Sequence, residues 1–101
     1  MSTATATKTE TVLKFMDTYC VVLFDDTVTS IELVLDLLMN ILHYDENTAF
    51  EYVMEIQEEG KAVVKNRLTK EQANQLKDKI IDYANNHEDD SNLEVLVAKE
   101  I

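Results

Sequence analysis

Apolar residues along this chain fall into runs whose spacing switches from strand-like to helical and back. Tyr19-Cys20-Val21-Val22-Leu23-Phe24 carries no charge, is short and is rich in β-branched and aromatic side chains, so it predicts a buried strand. Its lack of alternation implies cover on both faces, or helices on one and a loop on the other. A polar turn from Asp25 to Ser30 follows. Then Ile31, Val34, Leu35, Leu38 and Leu42 recur at helical spacing, with Leu33, Leu37, Met39 and Ile41 beside them. The spacing predicts a helix over 31–42 that is apolar around most of its surface and either sits centrally or leaves a patch for a partner. Thr29-Ser30-Ile31-Glu32 reads as its capping box, with Thr29 as the cap.

Beyond the His43-Tyr44-Asp45 turn, Asp45 or Asn47 can cap a second helix over 46–59, whose stripe is Ala49, Val53 and Ile56 with Phe50 and Met54 adjacent. Gly60, the chain's one glycine, reads as its left-handed C-cap. Lys61 to Lys65 predicts a strand, Thr69-Lys70-Glu71-Gln72 a second capping box, and Ala73, Leu76, Ile80 and Tyr83 a third helix to about residue 85. An acidic loop over 86–92 and a closing strand over 93–97 complete the pattern. The order β-α-α-β-α-β predicts a small two-layer α+β sandwich, a three-stranded sheet packed on three helices, in one domain over 18–101. Residues 1–17 begin with a Ser/Thr/Ala-rich run that buries too little surface to offset its ordering entropy and is expected to be a flexible tail. Within it Val12, Leu13, Phe15 and Met16 fit either an extra turn or an early strand.

Charge narrows the possible partners. With 20 acidic against 9 basic residues the net charge is -11, which disfavours nucleic acid and acidic lipid surfaces and favours a cationic ligand, a basic protein or simply solubility. The single Cys20 leaves no internal disulfide and points to a reducing compartment. No apolar run is long enough to span a bilayer, and a soluble, cytoplasmic protein is expected.

Chemistry concentrates at the turn after the first strand, where two carboxylates and hydroxyls meet the start of an apolar helix. Asp25-Asp26 and His87-Glu88-Asp89-Asp90 lack the spacing of a calcium loop or a zinc site, so no metal or other cofactor is called for. Consecutive acids in a strand point to opposite faces, which does not suit a two-carboxylate hydrolase, and no activated Ser or Cys stands out. An enzyme is not expected. Taken alone, Asp25-Asp26 reads as a turn in which Asp bonds its own backbone.

The segments Val21-Val22-Leu23-Phe24-Asp25-Asp26-Thr27-Val28-Thr29-Ser30-Ile31-Glu32 and Gln57-Glu58-Glu59-Gly60-Lys61-Ala62-Val63-Val64 resemble the ClpS family, the adaptors of the ATP-dependent Clp protease. That family shows a strand, then Asn-Asp-Asp-x-Thr-Pro-Met-Glu, a long apolar helix, and a second helix ending near His-x-x-Gly-Lys-Ala. The resemblance implies an adaptor that holds the free α-amino group of a substrate's N-terminal residue, buries that residue's hydrophobic side chain, and delivers the substrate to a Clp-type AAA+ unfoldase. By position it implies Asp25, Asp26 and Gln57 as ammonium acceptors with Thr29 in support, and Ile31, Val34, Val53, Ile56 and Leu93 as pocket wall. It also implies Glu71, with Lys77 nearby, on the surface that docks the N-terminal domain of the unfoldase. Asp25 replaces the family's Asn, Gln57 its His, Ser30 its Pro and Ile31 its Met. A divergent module of the same fold, modulating a Clp unfoldase without binding N-terminal residues, is the alternative. The ribosomal stalk domain shares the architecture, but its Ala, Gly and Lys richness is not seen here.

Overall fold

The computed structural model describes residues 17–26, 28–87 and 93–100; all but the last residue of the tail expected over 1–17, and most of the acidic loop, lie outside them. The elements are β1 (Tyr19–Phe24), α1 (Ile31–Asn40), α2 (Glu46–Glu59), β2 (Lys61–Leu68), α3 (Lys70–His87) and β3 (Val95–Lys99), a small α+β sandwich in the expected order. The strands form one antiparallel sheet in the order β2-β1-β3.

Its central place explains the unbroken apolar run of β1. Val21 and Leu23 are fully buried with Ala62, Val64 and Val95 in a core completed by Leu37, Leu38, Val53, Ile56 and Ile80 of the helices. On the other face Val22 stands directly opposite Val63 of β2 and Leu96 of β3. Those two neighbours are about half exposed while Val22, flanked by them, is buried. The register slips between Tyr19 and Val22, a bulge that lets β2 run on to Leu68, past the expected end at Lys65.

Helix α1 starts one residue later in capping terms than its sequence suggests. Ser30 is the N-cap and accepts from the Leu33 N–H at 3.1 Å, because the Thr29 N–H and hydroxyl are both taken by Asp26. It ends at Asn40, two residues short of Leu42, where the chain turns through His43 at φ 60°. Its buried residues Leu33, Val34, Leu37 and Leu38 place it centrally, in contact with α2 and α3.

Helix α2 is capped by Asp45, which accepts from the Thr48 N–H at 2.7 Å. Tyr44, just before it, stacks on Tyr52 at 5.1 Å and donates its hydroxyl to the Val64 carbonyl, pinning the turn to β2. Burial, and next the adjacent Tyr52, push the Tyr44 phenol up to about 12. The reciprocal box at α3 forms as read, with Thr69 N–H to Gln72 at 3.0 Å and Gln72 N–H to Thr69 at 3.1 Å. Strand β3 begins two residues later than expected, leaving Leu93 and Glu94 outside it, and the Glu94 carbonyl accepts from the Phe24 N–H at 3.1 Å.

Gly60 closes α2 at φ 83°, with open space where a Cβ would lie. Replacing it costs only backbone conformation: Gly60→Ala is expected to lower unfolding free energy by about 1 kcal/mol in urea titration, and Gly60→Asn by less.

Candidate functional site

The site forms where β1 and α2 end side by side. The Asp25 N–H donates to the Gly60 carbonyl at 2.9 Å, which fixes the carboxylates after β1 beside the last turn of α2. Asp26 then folds its own loop: one oxygen accepts from the N–H groups of Val28 at 2.7 Å and Thr29 at 2.5 Å, and the other from the Thr29 hydroxyl at 2.7 Å. Partial burial raises the Asp26 pKa, but the donors from Thr29 and Val28 together outweigh it and hold the carboxyl below its ordinary value. It is ionised at neutral pH.

Gln57, in the last turn of α2, donates its amide to Asp25 at 3.3 Å. That leaves the Gln57 carbonyl and most of the acceptor capacity of Asp25 with no partner among the described residues. Asp25 is exposed and Asp26 partly so. Two carboxylates and an amide carbonyl therefore surround one opening.

Below that opening lies a hollow of about 310 Å³, counting the part open to solvent. Every residue read from the sequence as ammonium acceptor or pocket wall lines it. Asp25, Asp26, Thr29 and Gln57 stand at the mouth; Ile31 and Val34 come from α1, Val53 and Ile56 from α2, and Leu93 from the segment before β3. Val53 is 2 % exposed and forms floor, whereas Ile31 at 49 % is rim. Phe24 also lines the hollow, which its strand pattern alone does not indicate. The signal for it is its position: it is the last residue of β1, directly before the first mouth carboxylate.

Glu71 and Lys77 sit on α3, away from the hollow, Glu71 exposed and Lys77 half-buried. Six residues apart on a helix, they point about 120° from each other around its axis. Among the described residues no group of three or more His, Cys, Asp and Glu could hold a metal ion, and no helix is long and apolar enough to cross a membrane. Cys20 is a half-buried free thiol, and His87 stacks on Tyr83 at 4.0 Å at the end of α3.

The two-layer domain thus carries an apolar hollow with acidic residues among its lining. Residues 14–96 match the family model of the ATP-dependent Clp protease adaptor protein ClpS, and the chain belongs to that family. Among solved structures it is similar to Agrobacterium tumefaciens ClpS2 bound to L-phenylalaninamide, with a TM-score of 0.76 at 23 % identity over 83 % of this chain and 98 % of that one. At that identity the likeness is one of fold. No curated protein matches the chain.

The hydrogen bonds of Asp26 carry a stability prediction. A carboxyl with a depressed folded pKa contributes stability that is present above its unfolded value, about 3.9, and lost as pH falls through the folded value. Asp26→Ala is expected to cost about 1 kcal/mol in urea unfolding at pH 7, and the gap to wild type to close as pH falls below about 4. Asp25→Ala, whose only described side-chain partner is the long bond from Gln57, should change stability by less than about 0.5 kcal/mol.

Proposed function

We propose that the hollow binds the N-terminal residue of a substrate protein and that the chain delivers that substrate to a Clp-type AAA+ unfoldase. Asp25, Asp26 and the Gln57 carbonyl take the α-ammonium, Thr29 holds Asp26 in place, and Ile31, Val34, Val53, Ile56 and Leu93 surround the side chain. The observation that carries this reading is the convergence of these residues, from four separate segments, on one opening with charge at the rim and aliphatic groups beneath. An ammonium joined to an apolar side chain matches that division, because each carboxylate bond to it is charge-assisted while the side chain leaves water. The ligand of ClpS2, L-phenylalaninamide, is a molecule of this class, with a free α-amino group and an apolar side chain. Docking to the N-terminal domain of the unfoldase runs through α3, with Glu71 and Lys77 in contact, and the setting is the cytoplasm.

One observation favours a second reading, a modulator of the unfoldase that does not use the hollow. Gln57 and Asp25 already bond each other across the mouth, and the hollow beneath has room for about one water.

Titration of a Leu-initiated peptide with a free or an acetylated N-terminus separates the two. The free form is expected to bind at least about tenfold more tightly, since acetylation removes the charge that the mouth accepts. Equal or absent binding of both forms ends the first reading. Capture of an unfoldase N-terminal domain that persists in Asp26→Ala, with no peptide binding, establishes the second.

A further inference from the structure

We propose that the hollow is a stiff slot for a short aliphatic first residue, Val, Ile or Leu, and excludes Phe, Tyr and Trp. This rests on the reading of the hollow as a site for N-terminal residues. Four of its wall residues, Ile31, Val34, Val53 and Ile56, are β-branched and helical. On a helix Val and Ile keep one χ1 rotamer about 90 % of the time, so these walls do not swing aside as an unbranched side chain would. Three of them, Val34, Val53 and Ile56, are also members of the buried core, packed with Leu37, Leu38 and Leu23. Widening the floor therefore means repacking the domain.

Beneath the mouth the hollow has room for about one water-sized group before something yields. One lining residue can yield: Leu93, which lies outside any helix or strand and is only partly buried. Its movement opens room at the side of the slot, enough for a branched aliphatic chain that fills by increments. A flat aromatic ring needs its full width at once, and the fixed Val53 and Ile56 oppose it. The polar lining residues are all at the mouth, so a Tyr hydroxyl or Trp indole N–H driven into the floor would be buried without a side-chain partner.

Fluorescence anisotropy with one peptide series, free at the N-terminus and beginning with Val, Ile, Leu, Phe or Trp, tests this on the full chain. Wild type is expected to bind the aliphatic members at least about tenfold more tightly than the Phe and Trp members. Ile31→Ala and Val53→Ala should narrow that gap by admitting Phe, a gain that loss of folding cannot mimic. Ile31→Ala, at an exposed position, supplies the comparison if Val53→Ala does not fold. Phe or Trp peptides binding wild type as tightly as Leu would overturn the stiff slot while leaving the N-terminal-residue reading in place. No binding of any free-ended peptide would overturn both.

Discussion

The place of the hollow depends on a backbone contact between the ends of two elements. Where β1 stops, the Asp25 N–H donates to the carbonyl of Gly60, the residue that stops α2. Only a left-handed residue there lets the helix end and the chain reverse into β2 within one position, which puts β2 beside β1 and the last turn of α2 beside the carboxylates. Gln57 reaches Asp25 across 32 positions of sequence for that reason. The hollow is the space left between α1 and α2 as both leave this junction.

How much of this was legible in the sequence follows from how local each signal is. A capping box and a lone glycine are read within four residues, so the start of α3 and the C-cap of α2 needed no tertiary knowledge, whereas the cap of α2 stayed open between Asp45 and Asn47. Competition between neighbours was less legible. Thr29 and Ser30 are both competent caps, and the choice fell to Ser30 because a carboxylate three residues upstream of Thr29 claims its hydroxyl. The end of β2 depended on a bulge, which leaves no mark in the hydrophobic pattern. The placement of β3 turned on an ambiguous run, Leu93-Glu94-Val95-Leu96-Val97, in which alternation fits more than one register.

The hollow itself was legible by position rather than by pattern. Val34, Val53 and Ile56 have the spacing of ordinary core residues, and most of their surface is ordinary core. What sets them apart is that they share a hollow with Asp25 and Gln57, a fact of tertiary geometry that family resemblance could carry and periodicity could not. Phe24 illustrates the same limit from the other side, since nothing in a strand pattern says which terminal residue overlooks a cavity.

The two mouth carboxylates are not equivalent, and the difference is one of hydrogen-bond accounting. A carboxylate offers about four acceptor positions. Asp26 uses three on Val28 and Thr29, so its charge is largely committed to keeping the loop folded, whereas Asp25 uses one, on a long bond from Gln57. Most of the acceptor capacity of Asp25 therefore has no partner among the described residues, and the Gln57 amide stands beside it. The loop thus leaves the two carboxylates unlike: Asp26 is bonded mainly within the turn, and Asp25 only to Gln57 among the described residues.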